Sequence, residues 1–303
     1  MKQLSAKSST QIILLICIGI VVLSCNRQQQ TQHTTPENHP TTFGKIVSEL
    51  SPNTMTIFQD SKNNYWFGSH GLIHYDGQSL RQYTTDDGLY SNRIRGIQED
   101  HLGNLLIDTG EGVNKFDGQH IEKLVLSPAP DTAWVLRPDD LWFEGYWDGD
   151  GPLRYDGRQL YALKFPKHAL EDTFYMGAPN ANFSPYQVYK TFRDSKGNIW
   201  FGSSTFGACR FDGQHLTWIS ERDMTEVDPG PAPGVRSILE DQNGNFRFSS
   251  NVSHAYSLIE EGTAPSYQQL AGIETSTVPD LNHYCMAMTQ DADGAIWLAT
   301  HTS

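Results

Sequence analysis

Basic side chains are scarce in this sequence. Its 303 residues include 22 Lys and Arg against 35 Asp and Glu, which gives a formal charge of −13 at pH 7. Such a chain is repelled by phosphate backbones and anionic lipid surfaces, so we predict no nucleic-acid partner. Segments of ten or more residues with helical periodicity are also rare after residue 25. This scarcity excludes a fold built mainly from amphipathic helices.

Cysteine is equally scarce, with four residues in the chain. Cys209 and Cys285 have no neighbouring cysteine, so we predict buried free thiols and not a disulfide or a metal pair. The sequence has no Gly-x-Ser-x-Gly, no His-Glu-x-x-His and no glycine-rich phosphate motif. Because these motifs mark common catalytic sites, we predict no catalytic residue, no cofactor and no metal. Whether the chain is an enzyme stays open at this point.

The first 24 residues form a predicted export signal. Lys2 and Lys7 precede an apolar run from Ile12 to Leu23, which is too short for a stable transmembrane helix. The run ends in Val22-Leu23-Ser24-Cys25, which resembles the bacterial lipoprotein box. That resemblance implies cleavage before Cys25 and acylation of its thiol, which would anchor the protein to a membrane. The alternative is an ordinary signal followed by a chance cysteine.

Residues 25–42 are rich in Gln, Thr, Pro and Asn and lack apolar periodicity, so we predict a flexible tether. Loss of Lys2 and Lys7 leaves 20 basic against 35 acidic residues, so the mature chain has a formal charge of −15. No acidic cluster of the kind that accompanies surface export in some lipoproteins follows Cys25. We therefore expect an outer-membrane lipoprotein that faces the periplasm.

A seven-residue phrase organises the rest of the chain. Its clearest copy is Asp194-Ser195-Lys196-Gly197-Asn198-Ile199-Trp200, which is followed directly by Phe201-Gly202. A phrase that returns at intervals of roughly 40 residues indicates a repeat architecture. The other copies are Asp60 to Trp66, Asp100 to Leu106, Asp241 to Arg247, Asp291 to Trp297 and a shortened copy, Asp140 to Phe143.

Each copy predicts a turn between two strands. The Asp, Gly and Asn residues favour the turn, and an alternating apolar segment precedes it. A later Asp-Gly step in most units predicts a hairpin between a third and a fourth strand. The first strands are predicted at Thr54 to Gln59, Arg93 to Gln98, Ala133 to Leu136, Gln187 to Phe192, Val235 to Leu239 and Tyr284 to Thr289.

Four consecutive antiparallel strands in each repeat describe a propeller blade. We therefore predict an all-β fold over residues 43–303, a β-propeller of six four-stranded antiparallel blades. The sixth unit has only two predicted strands. We expect Phe43 to Leu50 to pair with that last blade and to help close the ring, because closure removes unpaired strand edges.

Three phrases carry a family resemblance: Val235 to Asp241, Gly197 to Gly202 and Asp87 to Asn92. Together they resemble the two-component regulator propeller family, and the resemblance covers nearly all of residues 50–300. It implies a propeller and a sensing role, since members often form the extracytoplasmic region of hybrid histidine kinases, with carbohydrate ligands inferred for some. No kinase or receiver module follows the repeat, so the resemblance implies a freestanding lipoprotein relative.

The long connections are predicted at one end of the propeller. In an antiparallel blade the first and third turns share one face, and the short turns all belong to that face. The long connections belong to the opposite face, and variable loops on a rigid scaffold commonly carry the binding site. They are Thr84 to Asn92, Glu144 to Pro152, Phe165 to Tyr186, Ser220 to Pro233 and Ala271 to His283.

Two of these connections combine aromatic and acidic side chains, which suit stacking on a sugar ring and accepting its hydroxyl protons. The alternative is that the aromatics fix long loops and the carboxylates are solvated turn residues. We expect binding of an oligosaccharide or a partner protein, in a sensing or scaffold role. The alternative function is a glycoside hydrolase or lyase in the central funnel, because fold does not fix function. The predicted ligand-binding residues are Trp147, Asp148, Asp150, Phe174, Tyr175 and Tyr186.

Overall fold

The structure is a computed structural model, and it describes residues 43–130, 133–146, 148–220, 234–249, 253–259, 266–270 and 285–300. The predicted signal peptide (1–24) and the tether (25–42), with the lipidation site Cys25, lie outside the described residues. Among the residues that are described, no helix is long and apolar enough to cross a membrane.

The described residues form consecutive sheets of mainly antiparallel strands, and the all-β prediction is confirmed. The first sheet contains β1 (Lys45–Val47), β2 (Thr56–Gln59), β3 (Tyr65–Ser69), β4 (Gly71–Tyr75) and β5 (Leu80–Tyr83). The second contains β6 (Gly96–Glu99), β7 (Leu105–Asp108), β8 (Val113–Phe116) and β9 (Ile121–Lys123). The third contains β10 (Leu126–Ser127), β11 (Leu141–Phe143), β12 (Leu153–Tyr155) and β13 (Leu160–Ala162).

A short helix, α1 (Glu171–Gly177), lies between the third and fourth sheets in the sequence. The fourth sheet contains β14 (Val188–Arg193), β15 (Ile199–Ser203), β16 (Ala208–Phe211) and β17 (Leu216–Ile219). The fifth contains β18 (Ser237–Glu240), β19 (Asn245–Ser249), β20 (Ser253–Ile259) and β21 (Ser266–Leu270). The last described sheet contains β22 (Cys285–Gln290) and β23 (Ile296–Thr300). The predicted first strands of these three sheets are confirmed, with bounds shifted by one or two residues.

The repeated phrase forms one hydrogen-bonded turn between the first two strands of a sheet. In the fourth sheet, Oδ1 of Asp194 accepts hydrogen bonds from the backbone N–H groups of Lys196 (3.0 Å) and Asn198 (2.8 Å). Its Oδ2 accepts from Asn198 Nδ2 (2.8 Å) and Trp200 Nε1 (2.9 Å). Gly197 adopts φ 87° in this turn, which glycine does without a steric penalty. The spacing from Asp to Trp is fixed because one carboxylate must reach both the turn and the indole.

The same turn recurs in the first and last sheets. Oδ2 of Asp60 accepts from Trp66 Nε1 (2.8 Å), and Oδ2 of Asp291 accepts from Trp297 Nε1 (2.7 Å). Burial opposes ionisation of Asp60, but the hydrogen bonds from Trp66 and Asn64 outweigh it and lower the pKa of that carboxyl. The acidic residues of these turns are therefore held by donors of the protein itself.

Neighbouring sheets share hydrophobic cores, and two of these cores contain a buried tryptophan of the repeat. Trp66 of the first sheet packs in one core with Ile97 of the second. Trp200 of the fourth sheet packs in one core with Ile238 and Phe246 of the fifth. The repeat therefore stabilises contacts between sheets as well as turns within them.

A polar contact beside the turn joins the same pairs of sheets. The backbone N–H and the hydroxyl of Ser61 donate to the Glu99 carboxylate at 2.8 and 2.7 Å. Ser195 donates in the same way to Glu240, at 2.6 and 2.7 Å. These equivalent contacts fix the register between neighbouring sheets.

The third sheet differs from the prediction at its first strand. Ala133 to Leu136 forms no strand, and β10 pairs in parallel with β13 at the opposite edge. The shortened phrase explains the difference, because Asp140 lies two residues before Trp142 where other units have six. Oδ2 of Asp140 accepts instead from Arg154 Nε at 2.9 Å, and both side chains are buried. The third sheet therefore lacks the turn that would position an inner strand.

The prediction for the N-terminal strand is wrong. Within the predicted segment Phe43 to Leu50, β1 pairs antiparallel with β5 of the first sheet and not with the last sheet. The ring of Phe43 packs against Tyr83 and Phe116, with ring centroids 5.1 and 5.9 Å apart. This aromatic contact fixes β1 as a fifth, outer strand of the first sheet.

Two of the described sheets have an exposed apolar side chain at a position that is buried in other sheets. Trp297 in the last sheet is 64% exposed, whereas the equivalent Trp66 and Trp200 are buried. Ile57 in the first sheet is 66% exposed, whereas the equivalent Ile97 is buried. A closed ring of six blades therefore stays a prediction.

Cys209 is a buried free thiol, as predicted. Burial raises the pKa of this thiol well above its usual value, so the group is an unreactive part of the core. The side chain of Cys285 lies outside the described part of the chain.

Candidate functional site

The long connections lie at one end of the sheets, as predicted. Because neighbouring strands are antiparallel, the connections that leave the second and fourth strands of a sheet emerge at the same end. We call this end the loop face. Its described connections are 84–95, 144–152 apart from Trp147, and 163–187, which contains α1. The predicted connections Ser220 to Pro233 and Ala271 to His283 fall almost entirely outside the described residues.

A cavity of about 250 Å³ opens where the third sheet lacks its inner strand. In the absence of a strand before it, β11 is the inner edge of the third sheet, and the first strands of the second and fourth sheets also line the space. Residues of four sheets contribute, so the cavity lies where the inner edges of the sheets meet. Its lining includes Thr56, Arg95, Gln98, Trp142, Lys190 and Arg193.

Side chains of the neighbouring sheets take the place of the missing strand. Gln98 Nε2 and Thr191 Oγ1 both donate to the carbonyl oxygen of Trp142, at 2.8 and 3.2 Å. Arg193 Nη2 donates to the carbonyl oxygen of Asp140 at 2.7 Å. Buried backbone acceptors need partners, and these side chains supply the ones that a strand would have given. The second, third and fourth sheets are thereby joined along the wall of the cavity.

A buried ion pair lies at the loop-face end of the cavity. Arg95 Nη2 is 2.9 Å from Asp108 Oδ1, and the two side chains are 10% and 4% exposed. The same nitrogen donates to the carbonyl oxygen of Gly145, at the start of the third sheet's loop. Arg95 Nε is buried and has no hydrogen-bond partner among the described residues. The Arg95 side chain also lines the cavity.

Glu144 and Lys190 complete a set that we call the channel cluster: Arg95, Asp108, Glu144 and Lys190. Burial raises the pKa of Glu144 to about 7, with Lys190 and Arg95 opposing this rise and Asp108 adding to it. Within the described residues, Glu144 accepts no hydrogen bond and Lys190 forms no ion pair within 4 Å. No three His, Cys, Asp or Glu side chains of that part of the chain are grouped as metal ligands. The cluster is therefore a site of mixed charge with a carboxyl that titrates near neutral pH.

Asp148 and Asp150, the predicted residues that are described in the 144–152 connection, lie outside the cavity lining. Asp148 is exposed at the surface. Asp150 pairs with Lys164 Nζ (2.9 Å) and accepts from Ser184 Oγ (2.8 Å). Burial opposes ionisation of Asp150, but these two partners outweigh it and lower the pKa of the carboxyl. Trp147 is outside the described residues.

The three predicted aromatics of the 163–187 connection have different environments. Phe174 and Tyr186 are 5% and 4% exposed and belong to the core of the fourth sheet. Tyr175 is exposed, and its ring contacts that of Phe174 with centroids 5.1 Å apart. The aromatics that are buried fix the long connection, whereas Tyr175 stays accessible on the loop face.

Replacing Tyr186 with phenylalanine is expected to destabilise the protein by about 1–3 kcal/mol. The Tyr186 hydroxyl donates to the Glu171 carboxylate and accepts from the backbone N–H of His168, and burial together with Glu171 raises its pKa. Phenylalanine would leave both partners unpaired. Thermal unfolding measures the loss, and Tyr175→Phe is the control because its exposed hydroxyl has no such role. Equal stability of the two variants would contradict this assignment.

The channel cluster was not predicted, although the repeat contains a signal for it. At the third position of the Trp-Phe-Gly phrase, the second and third units carry Asp108 and Glu144 where others have Gly68 and Gly202. A Cβ atom at Gly202 would lie 2.2 Å from the carbonyl oxygen of Val235 in the next sheet, so that approach requires glycine. Asp108 and Glu144 therefore place acidic side chains at a position where the close approach of sheets favours a small residue. Residues that depart from a local pattern in this way are expected at functional sites.

Comparison with solved structures identifies the fold. The selenomethionine-substituted virginiamycin B lyase from Staphylococcus aureus matches with a TM-score of 0.58 and 13% identity, over 85% of this chain and 80% of that one. A streptogramin B lyase matches with the same TM-score and identity, over 85% of this chain and 79% of that one. The fold is propeller-like. We therefore call the described sheets the blades of this propeller-like fold. No protein-family model and no curated protein sequence matches the chain.

Extracellular domains of putative one-component and two-component systems are also among the similar structures. The extracellular domain of a putative one-component system from B. thetaiotaomicron matches at 18% identity with a TM-score of 0.45, over 85% of this chain and 39% of that one. Extracellular domains of two putative hybrid two-component systems from the same organism match at 18% identity as well.

Proposed function

We propose that this protein is a lipid-anchored, extracytoplasmic propeller that binds a ligand at its loop face and catalyses no reaction. The observation that supports the proposal is the channel cluster. Arg95 and Lys190 line the cavity, and Lys190 lacks a close counter-ion in the described residues. A concave site with a few convergent polar groups is the usual form of a ligand site. The long connections around its mouth offer further contacts.

The loop face would extend the site beyond the cavity. Small-molecule sites commonly enclose about 300–1,000 Å³, so the central cavity alone accommodates one ring-sized group. Asp148, Asp150 and Tyr175 on the loop face, together with Trp147, are the contacts that we propose for the rest of the ligand. An aromatic ring beside carboxylates suits an oligosaccharide, and a segment of a partner protein is the second candidate.

Lys190→Met is expected to weaken ligand binding at least tenfold. The variant removes an ammonium group that lines the cavity without holding a close partner in the described residues, so folding should be retained. A glycan array followed by calorimetry identifies the ligand and measures the affinity. Lys167→Met is the matched control, because Lys167 is exposed and pairs with Asp172 on the surface. Equal affinity of both variants would remove the cavity from the proposal.

The rim contacts and the anchor need separate experiments. Trp147→Ala shows whether the loop face contributes to the affinity, since this variant leaves the channel cluster intact. Cys25→Ser tests the anchor, because loss of acylation should move the protein from the membrane fraction to the soluble fraction. Continued membrane association of that variant would reject lipidation at Cys25.

A glycoside hydrolase or lyase is the alternative function, and one observation favours it. Glu144 has a pKa of about 7, which is the range that suits general acid or base catalysis at neutral pH. It lies close enough to Lys190 and Arg95 for their charges to influence it. Turnover of a bound oligosaccharide that disappears in Glu144→Gln, with binding retained, would support catalysis. Binding without turnover in the unaltered protein would reject it.

A further inference from the structure

The channel cluster has more hydrogen-bond donors than acceptors left for a ligand. Asp108 is occupied, because its carboxylate pairs with Arg95 Nη2 and also accepts from the backbone N–H of Gly110 at 2.8 Å. The charged Arg95 guanidinium lines the cavity, and the Lys190 ammonium, which also lines it, carries three N–H donors. A ligand that enters this space therefore meets donors from two blades.

Glu144 does not restore the balance. Its carboxyl accepts no hydrogen bond from the described residues, and burial favours its protonated form. A protonated carboxyl is itself a donor. Three groups from the second, third and fourth blades can then donate into one cavity of about 250 Å³. Neutral hydroxyl groups satisfy such a set incompletely, whereas an anionic oxygen pair accepts from all three.

We propose that the cavity binds the carboxylate group of an organic acid, with Lys190 and Arg95 as its donors and Glu144 as a third. This inference rests on the proposed function and names the chemical class of its ligand. A carboxylate has two oxygens with about four lone-pair sites, which match a small number of convergent donors. Charge-assisted hydrogen bonds to such a group are roughly twice as strong as neutral ones. The part of the acid that lies inside the cavity is no larger than one ring, because of the volume of the cavity.

Binding of an anion beside Glu144 should take up a proton. The charged groups that face Glu144 are Lys190 of the fourth blade and both Arg95 and Asp108 of the second. A bound carboxylate adds a negative charge to this set, so it raises the pKa of Glu144 further. The protonated form of Glu144 then binds the ligand more tightly than the ionised form. Affinity should be highest below pH 7 and should fall as the pH rises through 7.

The test compares two sugars of one shape. Glucuronate and glucose differ at a single carbon, which carries a carboxylate in the first and a hydroxymethyl group in the second. The full-length protein should bind sodium glucuronate at least tenfold more tightly than glucose in calorimetry at pH 6. Lys190→Met should remove that preference. Between pH 6 and pH 8 the affinity for glucuronate should fall severalfold, and Glu144→Gln should bind with little pH dependence.

Each outcome either supports or overturns the inference. Equal binding of both sugars, weakened alike by Lys190→Met, would overturn the carboxylate while the proposed binding function stands. Glucuronate binding that Lys190→Met leaves unchanged would overturn it too, because the acid would then bind elsewhere. Binding of neither sugar at millimolar concentration would overturn the inference, and a blank glycan array as well would remove the oligosaccharide from the proposed function and leave the partner protein.

Discussion

Replacing Trp200 with alanine is expected to lower the free energy of unfolding by about 3–5 kcal/mol, the range for removal of a large aromatic from a packed core. Trp200 is fully buried, and its ring packs against Phe246 and Phe248 of the fifth blade, with centroids 4.6 and 5.5 Å apart. The variant would also remove the indole donor to Asp194. Two blades would therefore lose contacts at once.

Circular dichroism during thermal unfolding measures this loss, which for a chain of this size corresponds to a fall in Tm of roughly 10 °C. Trp297→Ala is the control from the same motif. Trp297 makes the same hydrogen bond to its Asp but is 64% exposed, so its replacement should cost about 1 kcal/mol. Similar losses in the two variants would show that Trp297 is covered in solution, which would contradict the exposed face of the last blade.

Asp140→Ala is expected to destabilise the protein by about 3–5 kcal/mol, since it leaves a buried guanidinium without its counter-ion. The side chains of Asp140 and Arg154 are 2% and 4% exposed, and the Arg154 Nε to Asp140 Oδ2 distance is 2.9 Å. Asp140 also accepts from the backbone N–H of Arg137 at 3.0 Å. The substitution therefore removes the carboxylate that organises the irregular start of the third blade.

Asp172→Ala is the matched control for this variant. Asp172→Ala also removes a carboxylate from a basic partner, because Lys167 Nζ lies 2.8 Å from Asp172 Oδ1. Both side chains are more than half exposed. Exposed ion pairs contribute about 0–1 kcal/mol because water screens them. Urea unfolding measures the free energy of unfolding of both variants. The same measurement is made on the double variant in which Asp140 and Arg154 are both alanine. The double variant should be more stable than Asp140→Ala, and a lower stability would contradict the buried unpaired charge.

The repeat made most of the fold predictable from the sequence. In three of the phrases the Asp carboxylate bonds to a tryptophan six residues on as well as to the turn, so the spacing alone identifies the first hairpin of a blade. The first strand of the third blade was predicted wrongly because Asp140 lies too close to Trp142 to make that turn. The pairing of the N-terminal strand was predicted wrongly for another reason. Its place depends on the packing of Phe43 against Tyr83 and Phe116, which are distant in sequence.

The candidate site was less predictable than the fold. Aromatic and acidic composition drew attention to the loops, but Phe174 and Tyr186 are core residues. The channel cluster combines residues of three blades, and only the folded chain brings Arg95 and Lys190 near Glu144. Its sequence signal is a departure from the repeat, at Asp108 and Glu144, and not a motif of its own. Such a departure becomes visible once the units are aligned on their tryptophans.

Because the third blade lacks its inner strand, the wall of the cavity is interrupted at this blade. Where a strand would form a continuous ladder, the carbonyl oxygen of Trp142 has two separate side-chain donors, Gln98 on one side and Thr191 on the other. A group wedged beside this oxygen would compete for those donors and push two blades apart. A ligand in the cavity would then change the spacing between the second and fourth blades. The loops of these two blades would move with them.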